Sequence, residues 1–424
     1  MYKTGPVAGL SLLTALQSAI DISTLPDAGL KGNRSMVLSS CIIQYYVPWH
    51  LGAGSPNKFG TSVTLEREVR AARQLTPGQW RWLVENVSYR QMADSDPGQV
   101  IPLWMRTWGY TDFEFLKRRI GADPAYMEHT FVAALPDGEV LATVHYWLFD
   151  LRDVEGRPRR VGCVSNVVTV EKARKQGHAR RLMEMALDRM PRDGCEWTLL
   201  FTSEMGRTLY LQLGYRAYSL PYARGVLSGS SIPLTGSYTV TRSDLAPQPD
   251  YWQVIAPIYE AYNRDRPLTV ARDAAYWKGL HVRKLERPPR GYTIDLFLAQ
   301  SLQEGRDVGY AIAYIPNRDA AQPAGQEQGF VLSEIATLPG HEEAIPHLLS
   351  AFADAAGGEG VGGTSFLARD AKVDLALRVL FEQPVEELND RSIMARPLEG
   401  GLSQEEVEAI MTASNATFCR LDEF

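Results

Sequence analysis

The sequence predicts a mixed α+β protein of the α/β class. It reads as two similarly built units, each a mostly antiparallel twisted sheet flanked by helices. Three observations carry this expectation. Two apolar hairpins recur, each joined by a tight turn. Each is followed, in the same order, by a polar loop, a strand, a turn and an amphipathic helix. The chain of 424 residues is long enough for two or three domains, and its 45% hydrophobic and 22% charged residues are a globular balance. The expected boundaries are 1–60, an extension of no readable role; 61–240, the first unit; and 241–424, the second unit with a C-terminal helix.

Residues 1–60 contain one β-like run, Val37 to Val47, and a Gly/Pro/Asn loop from Gly54 to Gly60. Phe113 to Ile120 then reads as a short helix. Thr130 to Leu135 and Glu139 to Leu148 read as strands across the Pro136-Asp137-Gly138 turn. After the polar stretch Arg152 to Arg159, Val161 to Val170 is a β-branched strand. Ala179, Leu182, Met183, Ala186, Leu187 and Met190 recur at helical spacing and form one apolar face, which Pro191 and Gly194 terminate. Trp197 to Thr202 is a strand and Gly206 to Leu213 a short helix. Ser243 to Asp250 reads as a linker. Trp252, Ile255, Ile258, Tyr259 and Tyr262 share a helical face. Asp295 to Gln300 and Gly309 to Ile315 form the second hairpin, Asn317 to Gly329 a polar loop, Gln328 to Thr337 a strand and Ile345 to Ala356 a helix. Ser403 with Glu406 is a capping box.

Charge and cysteine exclude several classes. The net charge of −6 disfavours a nucleic-acid binder that works by neutralising phosphates. Cys41, Cys163, Cys195 and Cys419 form no CxxC pair, so neither a zinc ribbon nor a dithiol motif is expected, and reduced buried thiols are. No apolar run is long enough to cross a membrane. The apolar stretch Val7 to Leu16 has too thin a basic flank for a signal peptide. A cytoplasmic protein without metal, membrane or nucleic-acid partner is expected.

The chemistry concentrates between Val161 and Tyr215. A buried strand ends at Val170, a loop with Gly177 follows, and a helix starts at once. Unpaired amides at a helix start attract anions. Gly177 allows close approach of a ligand. Arg174, Lys175, Arg180 and Arg181 put a basic collar around the loop on an otherwise acidic chain. A phosphate-bearing ligand is therefore expected, although neither GxxxxGK[ST] nor GxGxxG is present.

The loop Arg174-Lys175-Gln176-Gly177-His178-Ala179 matches Arg-x-x-Gly-x-Ala. It resembles the pyrophosphate-binding motif of the GCN5-related N-acetyltransferase (GNAT) superfamily. A second motif, Tyr210-Leu211-Gln212-Leu213-Gly214-Tyr215, follows in the right order and resembles that family's later Tyr-x-x-Leu-Gly-aromatic element. The resemblance implies that the first unit is a catalytic acetyltransferase domain using acetyl-CoA as cosubstrate. The acceptor it implies is a small-molecule amine or a lysine-type substrate, attacking the thioester directly. By position in the motifs, Val168, Thr169 and Val170 would offer the backbone N–H for the carbonyl oxygen. Arg174, Lys175, Gln176, Gly177, His178, Ala179 and Arg180 would hold the cosubstrate. Tyr210 would be the general acid. Glu204 is the leading candidate base, with Glu128, His129 and His145 as alternatives. Trp80, Trp82, Trp104, Trp108, Tyr110 and Trp147 are candidate walls for an acceptor pocket.

The second unit lacks the Arg-x-x-Gly-x-Ala motif. Glu342 and Glu343 follow Gly340 where a pyrophosphate would sit, so the half reads as a degenerate repeat. Tyr259-x-x-Tyr262, Arg264 to Pro267, Arg272-Asp273 and Tyr276-Trp277 loosely resemble the second domain of enhanced-intracellular-survival-like acetyltransferases, where a terminal carboxylate enters the active site, making that of Phe424 a candidate. Two alternatives stand beside the acetyltransferase reading: a non-catalytic acyl-CoA-binding or regulatory protein, and a tandem acyltransferase of thiol biosynthesis.

Overall fold

The computed structural model describes residues 86–424 except 111, 122, 124, 231, 290, 318–328, 369, 384 and 424. The extension 1–60 with its expected strand, Cys41, Trp80, Trp82, most of the loop 317–329 and the Phe424 carboxylate lie outside the described residues.

The first sheet begins with β1 (Ser88–Gln91), after which α1 (Pro97–Trp108) and α2 (Phe113–Gly121) intervene. The antiparallel strands β2 (Thr130–Ala134), β3 (Val140–Arg152) and β4 (Pro158–Thr169) follow. The helix α3 (His178–Arg189) crosses to β5 (Trp197–Phe201), which pairs parallel to β4, and α4 (Glu204–Gln212) follows. The expected polar stretch 152–159 is shorter than it reads, because β3 and β4 run nearly to its tip. Burial of Leu182, Met183 and Ala186 against Phe131, Val144, Tyr146 and Val164 fixes the phase of α3 on the sheet. Leu182 and Met183 each contribute about 1.5–3 kcal/mol when fully buried.

The chain continues through β6 (Arg216–Ala217), β7 (Leu220–Val226), β8 (Tyr238–Asp244), α5 (Trp252–Asn263), α6 (Ala274–Leu280) and a π turn at His281–Leu285. The second hairpin is β9 (Tyr292–Ser301) with β10 (Arg306–Pro316). Next come β11 (Phe330–Thr337), α7 (Ala344–Ala356), β12 (Gly362–Ser365), α8 (Ala371–Leu380), β13 (Glu386–Asp390), β14 (Ile393–Pro397) and α9 (Gln404–Thr412). β11 and β12 pair parallel across α7, repeating the β4–α3–β5 arrangement. Both bonds of the Ser403/Glu406 capping box form at the start of α9.

Each sheet has seven strands, ordered β1-β2-β3-β4-β5-β14-β6 and β13-β7-β12-β11-β10-β9-β8. Thus β14, from the C-terminal part of the chain, lies between β5 and β6, and β7, from the first part, lies between β12 and β13. The expected 240/241 boundary falls within β8, and a cut there would also separate β14 from the first sheet and β7 from the second. The expected linker is also shorter than Ser243 to Asp250, because β8 extends to Asp244.

A buried charge cluster ties the C-terminal segment to the second sheet. Arg272 donates to Glu334 of β11 at 2.5 and 3.1 Å and to Asp422 at 2.8 and 3.0 Å. Its guanidinium lies 4.0 Å from the Tyr259 ring centroid and 4.5 Å from that of Trp277. Tyr276 donates to Asp422 at 2.9 Å, and Tyr310 donates to Glu334.

Candidate active site

β4 and β5 pair only from Val161 to Val164 with Trp197 to Leu200. Beyond Val164 the two strands part, and β5 takes β14 as its other neighbour. The β4 edge carrying Val168 and Thr169 therefore faces a fork. A bulge sits at the parting point, where the β3–β4 register shifts between Thr143 and His145. Asn166 adopts φ 50° there, a left-handed conformation that asparagine tolerates better than a β-branched residue. Thr143 donates to the Asn166 carbonyl at 2.8 Å, Trp104 donates to Thr143 at 3.0 Å, and the Asn166 amide donates to the Tyr126 hydroxyl at 3.0 Å. Burial raises the Tyr126 hydroxyl pKa well above that of an ordinary tyrosine, so it stays protonated.

Val170 leads from this fork into a short 3-10 turn and the loop. Lys175 has φ 62° and Gly177 has φ 85°, so the loop reverses sharply before α3. A Cβ at Gly177 would meet nothing within 4 Å, so the space above it is open. Among the described residues, the amides of Gly177, His178, Ala179 and Arg180 meet no backbone acceptor. These are the orphan donors of the helix start, at the positive end of its dipole.

Side chains hold the loop from behind. The Gln176 amide nitrogen donates to the Lys172 carbonyl at 2.9 Å, so its oxygen is free to accept from His178 Nε2 at 3.2 Å. His178 Nδ1 is then the acceptor for the Tyr89 hydroxyl at 2.7 Å. Burial lowers the His178 pKa and keeps the ring neutral. Arg181 packs over the Tyr89 ring at 4.4 Å, and Arg174 reaches the Thr169 carbonyl at 3.4 Å. Arg180 donates to Gln212, which links the first turn of α3 to the last turn of α4.

Tyr210 of α4 is buried at 6% exposure, with its ring against that of Tyr215. A Cβ at Gly206 would lie 2.6 Å from Thr202 Oγ1 and 3.0 Å from Tyr210 Cε2. The Tyr210 ring thus reaches back across Gly206 toward the end of β5, which only a glycine permits. Glu204, on the first turn of the same helix, faces solvent and lies 3.6 Å from Arg207. The structure therefore separates the two expected catalytic side chains by burial.

The alternative bases differ in place. Glu128 and His129 are engaged at the far end of α3, the first with Arg189 at 3.5 Å and the second with Asp193 at 3.6 Å. His145 lies beside the bulge, paired in register with Ser165. Thr130 gives its hydroxyl proton to the Tyr126 carbonyl at 2.7 Å, so at 2.9 Å His145 Nδ1 must donate to Thr130. Nε2 then carries the lone pair. It is buried without a hydrogen-bond partner, and burial lowers the ring's pKa well below the usual histidine value. Tyr126 stacks on this ring at 3.9 Å.

Among the expected pocket aromatics, Trp104 and Trp147 are both buried in the core, and Trp147 also has Arg119 and Arg283 at its ring. A cleft opens at the end of β5, lined by Phe201, Tyr222, Phe366, Asp390, Phe418 and Arg420. In the second sheet the turn before α7 is closed by the chain itself: the Gly340 amide donates to Glu342 at 3.0 Å, and Glu343 pairs with Lys372. Among the described residues no group of His, Cys, Asp or Glu is arranged to hold a metal ion, and no helix is long and apolar enough to cross a membrane. Cys163, Cys195 and Cys419 are free and buried.

Residues 88–218 match the family model described as an acetyltransferase (GNAT) domain. The chain carries a GNAT acetyltransferase domain. The forked strands, the glycine loop and α3 all fall within the matched segment. No curated protein sequence is matched. Among solved structures, the chain resembles a conserved protein of unknown function from Enterococcus faecalis V583, a probable N-acyltransferase, with TM-score 0.57 and 17% identity over 74% of this chain and 73% of that one. It also resembles a GCN5-related N-acetyltransferase from Anabaena variabilis, with TM-score 0.54 and 17% identity over 74% and 73% of the two chains. Eis1 from Mycobacterium abscessus aligns with TM-score 0.50 and 16% identity over 73% of each chain. At these identities the likeness is one of fold, and it extends over both sheets. A GNAT domain is an acyltransferase that takes acyl-CoA as cosubstrate.

Asn166 and Tyr126 belong to none of the sequence motifs that mark the site. The lone asparagine inside the β-branched run Val161 to Val170 was the available signal for a bulge.

Proposed function

We propose that the protein is an N-acetyltransferase that moves an acetyl group from acetyl-CoA to an amine. The observation that carries this reading is the fork between β4 and β5, with the open amides of Gly177 to Arg180 at one end and the Tyr210 ring reaching toward the other. Acetyl-CoA supplies an activated acetyl thioester. The loop amides and the collar of Arg174, Lys175 and Arg180 would hold its pyrophosphate by charge-assisted hydrogen bonds. The Val170 N–H already donates to the Leu141 carbonyl at 2.9 Å, so the N–H for the carbonyl oxygen, whose charge grows as the amine adds, would come from the Val168–Thr169 edge of β4.

Tyr210 would return a proton to the departing thiolate as general acid. For the proton lost by the amine, His145 carries an unshared Nε2 lone pair but is fully buried with its pKa held well below the usual histidine value, whereas Glu204 faces solvent. Glu204 would act only through solvent. The free cysteines suit a reducing compartment such as the cytoplasm.

The test is thiol release from acetyl-CoA with a panel of amines. Tyr210→Phe should lower kcat about a hundredfold with little change in the KM for acetyl-CoA. His145→Gln and Glu204→Gln compare the two candidate bases, and the base is the residue whose loss lowers kcat by the larger factor. Tight acetyl-CoA binding without turnover on any amine would instead favour the acyl-CoA-binding, non-catalytic reading.

A further inference from the structure

Cations gather on the face of the first sheet opposite α3. Arg119 of α2 lies 6.0 Å from the Trp147 ring centroid, and Arg283 of the π turn lies 5.4 Å from the same ring and 5.1 Å from that of Tyr276. Lys284 follows Arg283, and Arg420 and Glu423 of the C-terminal segment lie within its electrostatic reach. All four cationic side chains belong to half-buried residues.

Their balance is uneven. Arg420 pairs with Glu423 at 2.5 Å. Among the described residues, no carboxylate lies within 4.0 Å of Arg119, Arg283 or Lys284; Asp422 and Asp123 act on Arg283 only from farther away. Arg119 has a 3.5 Å contact with the Tyr110 hydroxyl. Burial, reinforced by the three arginines and opposed by Glu423, brings the Lys284 amine down to about 7. Among the described residues, Arg119, Arg283 and Lys284 thus have no directly paired carboxylate.

The cluster borders the fork. Trp147 lies two residues along β3 from His145, on the same face, and shares a core with Val168, Phe201 and Phe418. Arg119 acts electrostatically on both Tyr126 and His145. Arg420 also lines the cleft at the end of β5.

We propose that the acceptor amine carries an anionic group, a carboxylate or phosphate, held by Arg119, Arg283 and Lys284. This rests on the amine acetyltransferase reading and narrows it. Guanidinium forks match both anions by geometry. The same positive field disfavours polyamine-type acceptors with a second cation and favours the neutral, nucleophilic form of the reacting amine. The acidic net charge of the chain thus reverses locally at the acceptor side.

The experiment uses the full chain with matched acceptors: lysine against cadaverine, ornithine against putrescine, and phosphoethanolamine against ethanolamine. The anionic member of a pair should show at least a tenfold higher kcat/KM, and the pairs distinguish carboxylate from phosphate. Arg283→Gln and Lys284→Met should bring that ratio close to one through acceptor KM, without changing the KM for acetyl-CoA, while Arg283→Lys retains part of it. Equal or better turnover of the decarboxylated amines, or a ratio unmoved by these variants, overturns the proposal. A second measurement is independent of turnover: thermal-shift titration with Nε-acetyl-lysine and with N-acetylcadaverine. Stabilisation by the first alone, lost in Arg283→Gln, supports the anion site even if no amine is acetylated, in which case the reaction reading fails and the site stands. Equal response to both ligands overturns it.

Discussion

The Asn166 amide donates to the Tyr126 hydroxyl at 3.0 Å while the Asn166 backbone holds φ 50° in the middle of β4. One residue thus bends the strand that opens the fork and fastens the bend to the segment before β2. Asn166→Ala removes the hydrogen bond and the side chain that best tolerates this backbone, at a combined cost of about 1–2 kcal/mol. Asn166→Gly relieves the backbone and loses only the bond. Melting temperature should therefore fall more for the alanine variant than for the glycine variant. The opposite order would mean that the bulge is not held by Asn166.

The Gly177 position separates binding from folding. Its left-handed backbone makes Gly177→Val cost about 1–2 kcal/mol, but the open space around it means no clash with the protein. A side chain there would stand where a ligand must approach. The expected result is a rise in KM for acetyl-CoA of more than tenfold with a melting shift of only a few degrees. An unchanged KM would show that the cosubstrate does not use this loop.

Gly206 should be intolerant for a different reason. An added Cβ would press on Thr202 Oγ1 and on the Tyr210 ring at 2.6 and 3.0 Å. Gly206→Ala should lower kcat by moving Tyr210 and leave the KM for acetyl-CoA nearly intact. Steady-state kinetics of this variant beside Tyr210→Phe checks it: a double variant no worse than Tyr210→Phe alone would place both changes in one step.

Stability should depend on pH through histidine. His129, His145, His178, His281 and His347 all have pKa values lowered by burial. The unfolded chain therefore binds more protons than the folded one below about pH 6.5, and stability falls as pH drops through that range. Melting temperature measured from pH 7.5 to 5 should decline, with His145→Gln reducing the slope. A flat profile would contradict these buried neutral rings.

The Arg272 cluster should be among the most sensitive positions for folding. Arg272→Met leaves Glu334 and Asp422 buried without their partner, which costs about 3–5 kcal/mol. Arg272→Lys keeps the charge but cannot make the two-sided fork, so it should rescue only partly. Denaturant unfolding of both variants tests this, and a loss below about 1 kcal/mol for Arg272→Met would mean the cluster is not a lock.

The local features of this protein were legible in the chain. The hairpin turns, the phase of α3 and the capping box at Ser403 each depend on residues only a few positions apart, and the basic glycine loop follows from the same short range. Their physics is that of backbone conformation and one-sided burial, which a sequence window displays directly. Other features depended on pairing across long separations. The exchange of β7 and β14 between sheets, the meeting of Arg119, Arg283 and Arg420, and the grip of Arg272 on Asp422 join residues more than a hundred positions apart. Hydrophobic alternation makes a strand but does not choose its neighbour. That choice rests on how whole sheets bury their faces together, and it decided which charges surround the fork.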